Sequence, residues 1–489
     1  MISRTTQSLL GAVAVLAIAV GVVEAHPPTS QAAVSGTTVR TAVQNTALVC
    51  PPPLQGAGST VYSLAVPGSS SATSTTGSAT LTPVTTGGSG KALVQQSTLG
   101  GSTTAKAAAG GTAPALSAAA AGAAAPGFSV QQTTSGTDHT LSGTPCTAPG
   151  TDFWFAGADS DKGSSDYIEL TNTEDTASDA DIHIFNTAGE VENAKASNLD
   201  IPANGTLSLS LTSLLSPFNT NTSLVVHVVV HTGRIAAALH EQGGNGGDWL
   251  PATTPGTTQL IPGLPGDLAD ATLVVADTGS TDADLDIHLA SETGWIVPSG
   301  HESIQIKAGT VTSVDLGAIT HGEPATLRLT PDSGTGQAAV PVVAGLQVVR
   351  GSGSTDTGYL AGVAAPIGQR ATVAGNAAGD STLLLSATGS AATVKISSIG
   401  AAGSTPTVQN VSVQAGATVS VTPKAPSGTP SGGTFAVTIE PVSGGPVYGA
   451  RMISRKSGSS LGFTIQDLTD DHSTVQIPRV VQDGSVVLP

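Results

Sequence analysis

Short stretches of alternating apolar and polar residues run through most of the chain. From Ala180 to Ile184 every second residue is apolar, and Asp181 and His183 lie between them. The stretch Leu285–Leu289 has the same pattern. A period of two predicts β-strands with one face in a core and the other in solvent. A shift of one residue would bury the acidic face, so the pattern also specifies the pairing register.

One segment occurs three times with the same arrangement. Two alternating stretches flank an Ala-Asn-Gly or Ala-Gly turn, which predicts a β-hairpin in each copy. The turn glycines Gly205, Gly309 and Gly416 are 104 and 107 residues apart. This spacing indicates a tandem array of units of about 100 residues, the size of one β-sandwich. The three copies are Leu199–Leu211, Ile304–Leu316 and Val411–Val421.

The number of strands in each unit predicts the fold class. About six or seven short strands per hundred residues, separated by Gly, Pro, Asp and Ser, are typical of an immunoglobulin-like sandwich. A β-propeller is the structural alternative, but its blades repeat every 40 to 50 residues, roughly half the period found here. We predict an all-β chain of tandem immunoglobulin-like β-sandwich repeats, which follow an N-terminal signal or anchor segment and a short disordered stalk.

The predicted boundaries follow from the repeat spacing and from changes in composition. A signal peptide or membrane anchor covers 1–25 and a flexible linker covers 26–46. A degenerate first repeat covers 47–150, and the second, third and fourth repeats cover 151–262, 263–370 and 371–489.

The N-terminus has the features of a secretory signal. Arg4 precedes the uncharged apolar run Leu9–Val23, and Ala25 is a small residue at the expected cleavage position. The run has 15 residues, whereas a membrane-spanning helix needs about 20. Two readings stay open, a cleaved signal peptide and an uncleaved membrane tether formed by residues 9–23. Both place the protein outside the cytoplasmic membrane, in the envelope or the extracellular space.

Composition and cysteine content agree with an exported β protein. Aromatic residues make up 3% of the chain and charged residues 10%, which predicts thin cores of small side chains. The 34 acidic and 17 basic residues give a net charge of -17, which argues against nucleic acid as a partner. Cys50 and Cys146 are the two cysteines, and in an exported chain such a pair predicts one disulfide.

Several short segments together indicate a family. They are Cys50-Pro51, Tyr167–Asn172, Ile201–Gly205, Gly233–Leu239 and Asp248–Pro251. In this order, after a secretory N-terminus, they resemble an actinobacterial secreted or envelope protein family catalogued as a domain of unknown function, the domain-of-unknown-function 5719 family. The resemblance is clearest over residues 152–262. It implies an exported, repeat-built protein and assigns no catalytic residue.

Three motifs suggest chemistry, and each departs from its pattern. The acidic loop Asp159–Asp166 lacks the sixth-position Gly and the final Glu of a calcium loop. Gly458–Gly462 matches the G-x-S-x-G elbow of hydrolases, but a strand-like stretch follows it where a helix is required. The pairs Asp181/His183 and Asp286/His288 supply only two ligands per strand face, so we interpret them as exposed polar faces.

The tryptophans and histidines complete the set of candidates. Trp154, Trp249 and Trp295 lie near unit boundaries or turns; they are candidate glycan-stacking residues, and packing between units is the alternative. His227, His231 and His240 are read as ordinary strand or surface residues. The sequence therefore predicts an exported non-catalytic structural or interaction protein without cofactor or metal, and the alternative is a carbohydrate-binding protein. The partner is an envelope protein or glycan, and the oligomeric state is open.

Overall fold

The computed structural model describes residues 39–478 except 54–57, 69–74, 87–89, 108–112, 137–138, 160–164, 193, 217–222, 244–245, 333, 335–337, 352–354, 364, 431 and 459. The predicted signal or anchor segment therefore lies outside the described residues. The described chain is nearly all β, and its strands pair antiparallel in four pairs of sheets. The all-β sandwich prediction is confirmed. We number the sheet pairs as sandwiches 1 to 4.

The strands are as follows. The first is β1 (Val39–Ala42). Sandwich 1 contains β2 (Asn45–Cys50), β3 (Ser59–Val66), β4 (Gly77–Pro83), β5 (Val94–Gln96), β6 (Gly101–Lys106), β7 (Leu116–Gly122), β8 (Ser129–Ser135) and β9 (Leu141–Pro145). Sandwich 2 contains β10 (Asp152–Asp159), β11 (Tyr167–Asn172), β12 (Ser178–Asn186), β13 (Gly189–Glu190), β14 (Leu199–Ile201), β15 (Gly205–Ser210), β16 (Ser223–Thr232), β17 (Ala236–Gly243) and β18 (Gly246–Leu250). Its helices are α1 (Leu211–Leu215) and a short 3-10 helix (Ala194–Ala196).

The remaining strands belong mainly to the other two sandwiches. Sandwich 3 contains β19 (Gln259–Leu264), β20 (Leu268–Asp277), β21 (Ala283–Ala290), β22 (Trp295–Ile296), β23 (Ser303–Ile306), β24 (Val311–Asp315), β25 (Ala325–Pro331), β26 (Val342–Arg350) and β27 (Asp356–Ala361). Sandwich 4 contains β28 (Ala371–Ala377), β29 (Ser381–Ala387), β30 (Ala392–Ile399), β31 (Thr407–Val413), β32 (Ala417–Val421), β33 (Thr434–Gly444), β34 (Val447–Ser457) and β35 (Ser460–Asp467). The last strand is β36 (Thr474–Ile477), which pairs with β1 in a two-stranded sheet.

All four sandwiches have the same strand order. The strand positions are numbered 1 to 8 along each sandwich. In sandwiches 2 and 3, which have nine strands, the two short strands that pair with the strand at position 3 share position 4 (β13 and β14, β22 and β23). One sheet then has the order 1-6-3-4 and the other has 5-2-7-8. Positions 1 and 2 therefore lie in different sheets, whereas the first two strands of an immunoglobulin domain are neighbours in one sheet. The immunoglobulin-like part of the prediction is not confirmed. Alternation and turn spacing define how many strands form, and they do not specify which strands pair.

The alternating patterns define the strand faces as predicted. Along β12, Ala180, Ile182 and Ile184 are buried, and the acidic and histidine positions between them are more exposed. Leu285, Ile287 and Leu289 of β21 are buried in the same way. The register of these strands therefore follows the burial of their apolar residues.

The thrice-repeated segment is not a hairpin. Its first strand pairs in one sheet and its second in the other, since β14 pairs with β12 and β15 pairs with β11. The copies in sandwiches 3 and 4 do the same. The turn connects the two sheets across the sandwich edge. In a hairpin and in a connection between two sheets alike, both stretches bury their apolar residues in the same core. Alternation alone therefore could not distinguish a hairpin from a connection between sheets.

A left-handed residue forms the turn in each copy. Asn204, Gly309 and Gly416 have φ of 49°, 68° and 71°. Gly205, the glycine predicted for the first copy, follows the left-handed position. Sandwich 1 has an equivalent turn between β5 and β6, where Gly100 has φ 71°. Gly100 lies 104 residues before Asn204, the same spacing as between the later turns. Sandwich 1 therefore contains a fourth copy of the turn, which the apolar pattern does not indicate.

The four sandwiches contact one another in a closed sequence. Gly143 N of sandwich 1 donates to Asp248 of sandwich 2. Trp154 of sandwich 2 packs with Val274 and Val343 of sandwich 3. Two further contacts complete the ring: Thr418 Oγ1 of sandwich 4 donates to Ala290 O of sandwich 3 at 2.7 Å, and Ser102 N of sandwich 1 donates to Gly400 O of sandwich 4 at 2.8 Å. Residues 42–474 therefore form one compact unit.

The linker prediction is wrong at its end. The composition of residues 26–46 predicts a flexible segment, but β1 begins at Val39 and β2 begins at Asn45. The part of this segment before Val39 lies outside the described residues. β1 forms because β36 supplies its hydrogen-bonding partner from the other end of the chain, and local composition contains no information about such a partner.

Candidate functional site

The strands at position 8 meet at the centre of the ring, and buried carboxylates join them. Asp356 of β27 has 0% exposure. Its Oδ2 accepts hydrogen bonds from Leu141 N at 3.2 Å and Phe463 N at 2.9 Å. Burial raises the pKa of Asp356 to about 6, and these N–H donors oppose the shift. One side chain of sandwich 3 thus binds the main chain of sandwiches 1 and 4.

Asp248 of β18 has the same role from sandwich 2. It is 1% exposed, and its Oδ1 accepts from Gly143 N at 2.7 Å. Burial raises its pKa well above the ordinary value, while the hydrogen bond from Gly143 N lowers it. Among the described residues, no buried apolar cluster joins sandwiches 1 and 2. The polar contact of Asp248 is therefore important at this interface.

A buried arginine completes the centre. Arg451 of β34 is 1% exposed and donates through Nη2 to Gln466 Oε1 of β35. Burial lowers the pKa of Arg451 to about 9, and the nearby Asp248 raises it. The opposite charges partly compensate each other in a site where either one alone would be costly.

Sequence patterns had not identified these central residues. Arg451 is a single charge within the apolar stretch Val447–Ile453, and Asp356 begins a strand without a matching alternation. A charged residue at an inward strand position was the available signal. The partners of Asp356 could not be read from the sequence, because they come from other sandwiches, whereas Gln466, the partner of Arg451, lies on the neighbouring strand β35.

A second polar site lies on the outer face of sandwich 2. Three histidines on β12 and β16 each bond to a carboxylate: His183 Nδ1 to Glu190 Oε1 at 2.6 Å, His227 Nε2 to Asp152 Oδ2 at 3.1 Å, and His231 Nε2 to Asp181 Oδ2 at 2.9 Å. Burial lowers the pKa of His227, and the hydrogen bond and charge of Asp152 partly offset this shift. We call these six residues the histidine face.

Asp181 and His183, one of the same-strand pairs that the sequence analysis interpreted as exposed polar faces, each bond to another residue. Asp181 bonds to His231 and Asn198 N, and these hydrogen bonds lower its pKa. In sandwich 3, His288 lies edge-on to Trp295, with ring centroids 6.4 Å apart. Within the part of the chain that the structure describes, no group of three or more His, Cys, Asp or Glu side chains is arranged to hold a metal ion.

The three tryptophans lie in different environments. Trp154 is 9% exposed and stacks on the His227 ring, with centroids 3.7 Å apart. Trp249 is 3% exposed. Trp295 is half-buried, and Arg328 lies over its ring at 3.9 Å. No described ring contact joins two of the tryptophans, so they are three separate sites.

The remaining residues singled out from the sequence lie as follows in the structure. Cys50 and Cys146 form the predicted disulfide. Asp159 ends β10, Asp166 precedes β11, and residues 160–164 of this loop lie outside the described residues. Ser459 within the G-x-S-x-G match also lies outside them. His240, read as an ordinary residue, is 3% exposed, and burial lowers its pKa to about 3.

The charge of the chain is concentrated in two sandwiches. Residues 151–370 contain 26 of the 34 acidic residues and 7 of the 17 basic residues. The remaining residues contain 8 acidic and 10 basic side chains and are nearly neutral. The histidine face belongs to the acidic half. In the described part of the chain, no helix is long and apolar enough to cross a membrane.

The fold and the central contacts define an all-β protein of four sandwiches that are joined by buried polar groups and by shared apolar clusters. The chain belongs to a family of unknown function (DUF5719), whose model matches residues 104–424. This result confirms the family predicted from the sequence. No curated protein matches the chain.

Similarity to solved structures is weak. The crystal structure of Streptomyces avermitilis alpha-L-rhamnosidase complexed with L-rhamnose aligns at 10% identity with a TM-score of 0.12. The alignment covers 88% of this chain and 57% of that chain, so the chain spans little more than half the length of the enzyme. This similarity gives no information about function.

Proposed function

We propose that the protein is an exported, non-catalytic structural or interaction protein of the cell envelope. The central carboxylates provide the main support. Asp248 and Asp356 accept hydrogen bonds from main-chain groups of neighbouring sandwiches. Asp248 Oδ1 and Asp356 Oδ2 join neighbouring sandwiches, so these buried acids contribute to the assembly of the ring. A compact body with one strongly acidic half is suited to present a surface to a partner.

The disulfide supports export. Cys50 is 0% exposed and Cys146 is 5% exposed, and a stable disulfide is typical of an oxidising compartment. We expect the protein in the fraction outside the cytoplasmic membrane, with an intact mass that lacks two hydrogens until it is reduced. A fully reduced protein in the cytoplasmic fraction would contradict the proposal. N-terminal sequencing of the same sample determines whether cleavage follows Ala25.

The charge distribution supports an interaction with a cationic partner through residues 151–370. The test places a photo-crosslinking residue at exposed Asp200 in sandwich 2 and, as the matched control, at exposed Ser412 in sandwich 4. We expect a crosslinked product in the native envelope from position 200 that weakens with added salt, because salt screens exposed charges. Absence of a product at position 200, or equal products at both positions, would contradict the proposal.

Carbohydrate binding is the second candidate, and Trp295 supports it. Its ring is half-buried, and the exposed Ile296 follows it in a hairpin at the edge of sandwich 3. Aromatic rings with accessible area are common stacking surfaces for apolar faces of ligands. Cell-wall glycan fragments should then quench tryptophan fluorescence in the wild type and not in Trp295→Phe. Equal quenching in both proteins, or none in either, would remove this candidate.

A further inference from the structure

Tyr359 extends from sandwich 3 into the core of sandwich 2. It lies on β27 and is 1% exposed. Its ring packs in the same apolar cluster as Phe155, Leu239 and Leu250 of sandwich 2. Its hydroxyl donates to Glu241 Oε2 and accepts from Gln347 Nε2 at 3.0 Å. The position of this side chain therefore depends on a buried carboxyl group across the interface.

The ionisable groups that face Glu241 are mainly acids. Asp159 at the end of β10 and Asp166 before β11 act on it from sandwich 2, and Asp166 Oδ2 accepts from Asp159 N at 2.9 Å. Asp248 lies opposite Glu241 in the pairing of β17 with β18. The phenol of Tyr359 faces it from β27. Arg451 of sandwich 4 acts on Asp248.

The protonation states of Asp166 and Glu241 change the stability of the fold. Asp166 and Glu241 are 1% and 3% exposed, and burial raises their pKa values to about 8 and about 7. The folded protein therefore keeps protons that the unfolded chain releases near pH 4. The stability contributed by these protons is complete below about pH 4 and is lost as pH rises through 7 to 8.

We propose that this group of side chains is a proton-dependent contact between sandwiches 2 and 3. While Glu241 or Asp166 holds a proton, Tyr359 stays in sandwich 2. When both carboxyl groups are ionised, Tyr359 donates a stronger hydrogen bond to Glu241, but the repulsion between the two carboxylates and the cost of two buried charges outweigh it. Tyr359 is then released and the interface opens.

Hydrogen exchange of the full chain at pH 6 and pH 9, corrected for intrinsic rates, tests the proposal. In the wild type we expect protection of β17 and β27 to fall more than about tenfold at pH 9, because a shift of one pKa unit changes an equilibrium tenfold. Protection of β30 in sandwich 4 should not change. In Glu241→Gln with Asp166→Asn, protection of β17 should be the same at both pH values, whereas β27 keeps the part of its pH response that Asp356 contributes. Glu440→Gln, which removes the exposed ion pair with Lys395, is the matched control and should behave as the wild type.

Three results would overturn the proposal. The first is an equal pH response in β27 and β30 of the wild type, a comparison that holds even if the double variant fails to fold. The second is a wild-type pH response in the double variant. The third is wild-type protection of β17 in Tyr359→Phe at pH 6, because the hydroxyl of Tyr359 would then not hold the two sandwiches together. Tyr359→Phe keeps the ring and removes the hydroxyl, and we expect weak protection of β17 at both pH values.

Discussion

Sandwiches 1 and 3 have the same strand order and very different cores. The core of sandwich 1 combines a few large residues such as Leu64, Leu81 and Phe128 with alanines and the buried disulfide. The core of sandwich 3 consists mainly of Leu, Ile and Val, and it extends into sandwich 4 through Phe463. The same topology is thus stabilised in two ways.

The difference shows how a thin core is compensated. Apolar burial contributes roughly 25 cal/mol per Å², so small side chains supply less stability per strand. A disulfide stabilises mainly by restricting the unfolded chain, and its contribution does not depend on core volume. The sequence separation of 96 residues closes nearly all of sandwich 1 in one loop. We therefore expect sandwich 1 to depend on its disulfide and sandwich 3 on its apolar contacts.

The largest effect should follow a charge in the core of sandwich 3. Ile287 is 0% exposed, and Ile287→Asp both removes its packing and buries an unpaired carboxyl group. We expect a loss of about 5 kcal/mol in the free energy of unfolding, measured by urea denaturation. Asp286→Asn, on the other face of the same strand, is the control and should change stability by less than about 0.5 kcal/mol. Unchanged stability of Ile287→Asp would contradict the core assignment.

Removal of the disulfide should have the next largest effect, and it should be confined to sandwich 1. We expect Cys50→Ala with Cys146→Ala to cost about 4.7 kcal/mol, the chain-entropy value for a loop of this length. Hydrogen exchange should then increase in β3 and β8 and stay constant in β20 and β26. If the double variant instead exchanged equally fast in both sandwiches, the two modes of stabilisation would not be separate.

Asp356 connects the two sandwiches, and its replacement should have an intermediate effect. Asp356→Asn places its amide NH2 either against both Leu141 N and Phe463 N, which donate to Oδ2, or against Thr357 N, which donates to Oδ1, and this should cost about 2 kcal/mol. The pKa of Asp356 is raised to about 6, so its proton stabilises the fold fully below about pH 4, and this stability is lost as pH rises through 6. The variant should lack this part of the pH dependence, which unfolding at pH 4, 6 and 8 measures. Identical slopes in both proteins would exclude the contribution of Asp356.

The smallest effect concerns a polar pair in sandwich 1. The hydroxyls of Thr60 and Thr134 lie 2.8 Å apart, and both residues are buried. Thr134→Val keeps the shape and removes one hydrogen bond, so we expect a loss of about 1 kcal/mol, measured by thermal unfolding. The loss should be the same with the disulfide oxidised or reduced. A larger loss after reduction would indicate that the disulfide and the hydroxyl pair stabilise one another.

Local patterns predicted the parts of the fold that depend on neighbouring residues. The alternation in β12 and β21 gave the buried faces, and the two cysteines gave the disulfide. The repeated turn gave the period, although its connection between two sheets was mistaken for a hairpin. Asp356, Tyr359 and Arg451 had no local signal that named their partners, since each acts on another sandwich.

The sequence by itself determined which residues form strands, which faces those strands bury and how often the unit repeats. These features follow from the period of two and from turn residues, and both are properties of a few consecutive residues. The tertiary structure alone decided the sheet order, the ring and the central carboxylates. The reason is that pairing and burial of a charge depend on groups distant in sequence: Asp248 is held in the centre because Gly143 N of another sandwich donates to it.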